Sequence, residues 1–133
     1  MDQFLGTWKL TASESFDEYM KAIGVGFPSR QIANLAKPTL LFSIGDQGLI
    51  SMKTTTTFKT VEIKFRLDEE FDEITADDRK TKTVMGLVDG KLIQTQTWEG
   101  KSTTIEREVQ GGKLIAKCIM DDVVCTRTYE KDE

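Results

Sequence analysis

Two arginines stand where strand alternation calls for apolar side chains. In Val123-Val124-Cys125-Thr126-Arg127-Thr128-Tyr129-Glu130, a strand puts Val123, Cys125, Arg127 and Tyr129 on one face and Val124, Thr126, Thr128 and Glu130 on the other. In Thr103-Thr104-Ile105-Glu106-Arg107-Glu108-Val109, Ile105, Arg107 and Val109 line one side and Thr104, Glu106 and Glu108 the other. A guanidinium does not lose its proton, so one that points inward needs an anionic or carbonyl partner. Nothing acidic obviously shares those two faces. One reading supplies the partner as a ligand carboxylate, gripped by Arg107, Arg127 and the Tyr129 hydroxyl through charge-assisted hydrogen bonds. The other is an internal ion pair or a wrongly assigned face. Both stay open on the pattern alone.

The elements that must position these side chains are mostly strands. Residues 4–10 open with Trp8 and Leu10 on one face of a first strand. The period then becomes helical: Ser15 and Glu18 have capping-box spacing, Phe16, Tyr19, Met20 and Ile23 follow, and Gly24 ends the helix. A second short helix is expected over residues 28–37, with Ile32, Leu35 and Ala36 on one apolar face and Pro38 as its stop. An apolar stripe on such helices reads as core first and as a ligand wall second.

From Pro38 onward the period is two. Strands are expected over residues 39–44, 50–53, 61–67, 71–75, 80–88, 92–98, 103–109, 113–120 and 123–130, with Asp89-Gly90 the strongest hairpin turn. About ten strands joined by short turns after a helical pair indicate an antiparallel meander closing into a barrel. Cys118 then lies opposite Cys125, both inward, and the plain reading is two small buried apolar side chains rather than a disulfide. The acidic run Asp68, Glu69, Glu70, Asp72, Glu73 lacks the glycine and spacing of a calcium loop and reads as a solvated turn.

Composition narrows the function. The 133 residues suit one domain with a real core. A net charge of -4 and a pI near 5.0, with 30% charged residues of both signs, argue against a nucleic-acid binder. There is no histidine, which removes the commonest general base and metal ligand. The N-terminal residues have no basic segment followed by an apolar run, and no stretch has the length of a membrane span. With two cysteines read as free thiols, the expected setting is the cytosol.

Six fragments in order carry a resemblance: Phe4-Leu5-Gly6-Thr7-Trp8-Lys9-Leu10, Phe16-Asp17-Glu18-Tyr19-Met20-Lys21, Ala36-Lys37-Pro38, Thr57-Phe58-Lys59, Thr75-Ala76-Asp77-Asp78-Arg79-Lys80 and Cys125-Thr126-Arg127-Thr128-Tyr129-Glu130-Lys131. Together they resemble the intracellular lipid-binding protein family, within it the fatty-acid-binding proteins of the heart, adipocyte and peripheral-myelin group, over essentially the whole chain. The resemblance implies a mainly β fold: a ten-stranded antiparallel β-clam, or up-and-down barrel, around a water-filled cavity, with a two-helix lid between the first and second strands. Residues 1–133 form a single lipid-binding domain in that scheme.

The same resemblance implies that Arg107, Arg127 and Tyr129 hold a long-chain fatty acid by its carboxylate. It also implies a portal and cavity lining made by Phe16, Tyr19, Met20, Phe58, Ala76, Asp77 and Arg79. The expected protein is a monomeric cytoplasmic carrier, not an enzyme, with no cofactor or metal and with transient membrane contact through the lid. Lys21, Arg30 and Lys37 on that lid are balanced by Glu14, Asp17 and Glu18, so strong electrostatic docking is not expected. Two departures stand out: the turn at residues 44–48 is one residue longer than in heart-type members, and Leu40 replaces a residue that is often polar. A retinoic-acid carrier of the same fold is the nearest alternative, although the short turn at Trp98-Glu99-Gly100-Lys101 disfavours it. A membrane-associated structural protein is the other.

Overall fold

The period-two pattern after Pro38 folds into nine strands, and the chain before it contributes one more strand and two helices. The computed structural model describes residues 1–132. A 3-10 turn at Asp2–Phe4 precedes β1 (Gly6–Glu14), followed by α1 (Phe16–Ala22) and α2 (Phe27–Leu35). Then come β2 (Thr39–Ile44), β3 (Ile50–Thr55), β4 (Thr60–Phe65), β5 (Phe71–Ile74) and β6 (Lys80–Val88). The chain finishes with β7 (Lys91–Trp98), β8 (Lys101–Gln110), β9 (Lys113–Met120) and β10 (Val123–Lys131).

All ten strands form one antiparallel sheet in the order β4-β3-β2-β1-β10-β9-β8-β7-β6-β5. Pairing of β1 with β10 brings the two ends of the chain together and wraps the sheet into a nearly closed barrel, with a seam between β4 and β5. The turn after β4 reaches across that seam, where the Asp68 amide donates to the Met85 carbonyl at 2.7 Å. Two-residue turns join successive strands from β6 to β10. Asp89 and Gly90 both have positive φ (52° and 82°), the backbone that a tight hairpin requires.

The first strand departs from expectation: it starts at Gly6, not Phe4, and continues to Glu14 rather than stopping at Leu10. Its register with β10 shifts between Leu10 and Ala12, so Leu10 opposes Tyr129 while Ser13 opposes Arg127. An unbroken alternation from Leu10 would turn Ala12 and Glu14 inward. The bulge at Thr11 puts Ser13 on the face of Arg127 instead, at the exposed end of the strand, because one extra residue exchanges the faces of everything after it.

The helices also differ. Ser15 precedes α1 but adopts a left-handed conformation (φ 63°) and makes no side-chain cap, so the expected capping box does not form. Tyr19, Met20 and Ile23 are buried as the spacing predicts, and α1 packs on β10 and β9. Helix α2 begins at Phe27 and ends at Leu35, two residues short of Lys37, and buries no residue completely. Its expected core stripe is solvent-facing: Ile32 is 49% and Leu35 77% exposed, and only Ala33 packs toward the lid cluster. Polar links hold α2 to α1 instead. Asp17 Oδ1 accepts from Arg30 Nε and Asn34 Nδ2, both at 3.1 Å, and Arg30 Nη1 donates to the Val25 carbonyl at 2.8 Å.

Buried apolar side chains fall into two clusters. One gathers Phe4, Trp8, Leu40, Phe42 and Leu92 with their neighbours, and the other joins Tyr19, Met20 and Ile23 to Trp98, Met120 and the two cysteines. Inward faces of β5, β6 and β7 carry Glu73, Thr81, Thr83, Gln94 and Gln96 instead. The barrel interior is therefore partly polar. Phe42, 1% exposed and packed against Phe4 with ring centroids 5.9 Å apart, belongs to the rigid part. In urea denaturation, Phe42→Ala is expected to cost about 3–5 kcal/mol, whereas Leu35→Ala on the exposed face of α2 stays within about 0.5 kcal/mol of wild type.

Candidate functional site

Both arginines face inward as alternation predicts: Arg107 is 8% and Arg127 6% exposed, and Tyr129 is buried two residues beyond Arg127. The register explains how they come together. Ala116 in β9 is directly opposite Arg107 on one side and Arg127 on the other, and Ser13 is opposite Arg127 in turn. Ser13, Arg127, Ala116 and Arg107 therefore form one row across four neighbouring strands. The small Ala116 side chain stands between the two arginines, whose guanidiniums reach away from it, Arg127 toward Ser13 on β1 and Arg107 toward Gln94 on β7.

Neither arginine is in an ion pair among the described residues. Arg127 Nη1 donates to Ser13 Oγ at 3.2 Å, and its guanidinium lies 3.7 Å from the centroid of the Phe16 ring. Such a cation–π contact offsets part of the burial cost. Arg107 Nη1 donates to Gln94 Oε1 at 2.9 Å. Neutral partners thus hold both cations. A cleft of about 320 Å³ between β1 and the helices, lined by Leu10, Ser13, Phe16, Asn34 and Ala36, reaches Arg127 from the surface.

One acidic residue does enter the interior, and here the reading of residues 68–73 as a solvated turn needs correction. Glu73 is 7% exposed, inward on β5, and its Oε1 accepts from Thr83 Oγ1 at 2.8 Å and from Gln94 Nε2 and Gln96 Nε2, both at 3.0 Å. The usable signal was the alternation of Phe71, Glu73 and Thr75 on one face, masked by the acidic residues around it. Gln94 bridges the two charges, accepting from Arg107 and donating to Glu73. Glu73, Arg107 and Arg127 are the fully buried charged side chains among the described residues. Two positive charges against one negative leave an interior with one positive charge in surplus.

The expected portal residues separate into three places. Phe58 (58% exposed) and Ala76 lie at the rim, where the β3–β4 and β5–β6 turns meet and Lys59 Nζ donates to the Ala76 carbonyl at 3.1 Å and to Asp78 Oδ1 at 3.2 Å. Asp77 and Arg79 form an ion pair just inside, at 2.6 Å, with the Arg79 guanidinium 4.5 Å from the Trp98 ring centroid. Tyr19 and Met20 are buried under α1, while Phe16 covers Arg127. The Tyr19 hydroxyl hydrogen-bonds Thr103 Oγ1 at 2.8 Å, and burial pushes its pKa up to about 12, so it stays a neutral phenol.

Cys118 and Cys125 are directly paired across β9 and β10 and are free thiols. A hydrogen bond from Cys125 holds the Cys118 thiol below its ordinary range, against the effect of burial, and the Arg107 and Arg127 charges act the same way. No group of three metal-ligating side chains gathers among the described residues.

A nearly closed ten-stranded barrel lidded by two helices, with buried polar and charged side chains on its inner face, has the architecture of a small-molecule-binding β-barrel. Residues 5–132 match the lipocalin / cytosolic fatty-acid binding protein family, and the chain belongs to that family. It is 52% identical over 130 residues to the adipocyte fatty acid-binding protein of Pygoscelis papua, covering 98% of each chain. Among solved structures, Echinococcus granulosus fatty-acid-binding protein 1 superposes with a TM-score of 0.97 at 41% identity, covering all of both chains. The Schistosoma mansoni fatty acid binding protein, solved in complex with arachidonic acid, gives 0.95 at 38% identity, covering 100% of this chain and 98% of that one.

The Asp77–Arg79 pair makes a pH prediction. Burial alone raises the Asp77 carboxyl, but hydrogen bonds from Arg79 and Thr75 and the Arg79 charge outweigh it and hold the pKa below the ordinary 3.8. A depressed folded pKa contributes stability that is present above the unfolded value and is lost as pH falls through the folded one. Wild-type protein should therefore lose unfolding free energy more steeply than Asp77→Asn as pH drops below about 4. Parallel curves from denaturant titrations across that range would remove Asp77 as the cause.

Proposed function

We propose that this protein is a non-enzymatic cytosolic carrier of long-chain fatty acids, with the ligand carboxylate held by Arg107, Arg127 and Tyr129. The observation that carries the reading is the pair of buried guanidiniums without a carboxylate, in an interior one positive charge in excess. A single ionised carboxylate neutralises that surplus and takes the guanidinium donors that Ser13 and Gln94 do not use. The names of the relatives support the same ligand class. The reading requires no cofactor, metal or nucleic acid, and one chain suffices for the site.

Magnitudes divide the work between tail and head. Removing an alkyl chain from water contributes roughly 0.8 kcal/mol per methylene, so about fourteen methylenes offer on the order of 11 kcal/mol before ordering costs. A hydrogen bond to a charged group adds roughly 1.5–3 kcal/mol. The tail sets affinity, and the arginines set orientation and headgroup choice. The exposed Phe27, Ile32 and Leu35 on α2 support transient contact of the lid with a membrane, and the helix carries no dominant charge to strengthen it. Among the described residues no helix is long and apolar enough to cross one. The two-residue β7–β8 turn at Glu99 and Gly100 keeps the fatty-acid reading ahead of the retinoid one.

Arg127→Gln should weaken binding of palmitate about ten- to hundredfold without abolishing it, and weaken hexadecanol far less. Equal losses for acid and alcohol in calorimetry would sink the carboxylate role. Phe58→Ala, at the exposed rim, should change ligand uptake and release rates in stopped-flow fluorescence while leaving the equilibrium constant within about threefold. A changed equilibrium constant with unchanged rates would contradict the portal assignment.

A further inference from the structure

The headgroup arginines share the interior with one buried carboxylate, and that carboxylate is tied to one of them. Gln94 accepts from Arg107 at 2.9 Å with its oxygen and donates to Glu73 at 3.0 Å with its nitrogen. Glu73 is thus a single side chain away from the proposed carboxylate site. Its hydrogen-bond partners Thr83, Gln94 and Gln96 are all neutral, and it is in no ion pair among the described residues. No cation lies within ion-pair distance of it; Arg79 reaches it only through Gln96, at 3.5 Å, and has its own charge paired with Asp77. With Glu73 7% and Arg107 8% exposed, water screens the field between them poorly.

We propose that Glu73 is a specificity-determining residue, which reduces the interior surplus from two positive charges to one and so restricts the headgroup to a single negative charge. The proposal deepens, and rests on, the carboxylate reading given above. Glu73 touches no ligand in this scheme. It acts through its charge, and through Gln94 it fixes where Arg107 points. A monoanionic headgroup brings the buried charge to zero. A dianionic one leaves a buried negative charge uncompensated, which is costly in a low-dielectric interior. Removing the Glu73 charge restores room for that second anion. Glu73→Gln is the suitable variant because it keeps the volume and a carbonyl oxygen with two lone pairs facing the same donors.

Hexadecylmalonate and its monomethyl ester carry the same tail and nearly the same headgroup bulk but differ by one charge. Both are titrated calorimetrically into delipidated wild type and Glu73→Gln at mildly alkaline pH, where every free carboxyl is ionised, together with palmitate and hexadecanol. On the wild type the ester should bind more tightly than the dianion. In the variant, hexadecanol should be unchanged, the monoanions should tighten roughly tenfold, and the dianion should tighten by roughly the square of that factor, because repulsion scales with ligand charge. An ester-to-dianion ratio equal in the two proteins, or one common shift for all four ligands, would overturn the proposal. Should the variant fail to fold, the wild type decides alone: dianion bound as tightly as ester refutes the restriction. Palmitate bound no better than hexadecanol by the wild type would count against the carboxylate reading itself, and is separately visible.

Discussion

Two guanidinium groups buried without a carboxylate are the constraint on which the rest of this structure depends. Each is kept charged by its chemistry, and several kcal/mol of desolvation must be offset by whatever lies nearby. Here the nearby groups are a serine hydroxyl, a glutamine carbonyl and an aromatic face. Each is brought to its place by a separate device. The bulge in β1 puts Ser13 on the Arg127 face, the β7 register supplies Gln94, and the first residue of α1 lays its ring on Arg127. Ala116, opposed to both arginines, keeps the central position open.

The lid is built on a different principle from the barrel. Helix α1 is fastened by buried side chains, Tyr19 and Met20 among them, whereas α2 buries none and hangs from Asp17 through Arg30 and Asn34. Those links hold the Asp17 carboxyl below its ordinary range, the Asn34 hydrogen bond acting most strongly and Arg30 and Lys21 adding to it. The Asn34 link is exposed and the Arg30 links are part-buried, and polar links near the surface contribute little individually. Few apolar contacts oppose a local opening of α2, so the low-stability end of the molecule coincides with the lid. The charged row sits on the barrel wall, on β8 and β10, and does not depend on α2 for its place.

What the sequence made legible follows from how each residue type signals. Strands β6 and β9 begin and end where the alternation does, because turns with positive φ punctuate them. The inward arginines were legible for the opposite reason: a charge that interrupts an apolar face is conspicuous. Glu73 was hidden because it sits among like charges, where one inward residue in a short strand is indistinguishable from a solvated run. The Ser15 cap failed since a bulged strand delivers the chain to α1 in a left-handed turn, which local spacing cannot encode. Ile32 and Leu35 misled through periodicity itself. An apolar stripe reports that a helix can bury a face, not that anything covers it.

The polar interior also bears on how a carrier survives without cargo. A barrel lined only with apolar groups around a tail would gain by collapsing once the tail left. Here Thr81 bonds Thr83, Thr83 bonds Glu73, and both glutamines converge on the same carboxylate oxygen. No fully buried side-chain nitrogen or oxygen among the described residues lacks a partner. A network whose members satisfy one another has little to gain from rearranging, and it fixes the spacing of β5, β6 and β7 independently of what the barrel holds. The arginines carry more donors than Ser13 and Gln94 take up. The network of β5, β6 and β7 is thus held together by its own members, while guanidinium donors remain for a headgroup at the charged row.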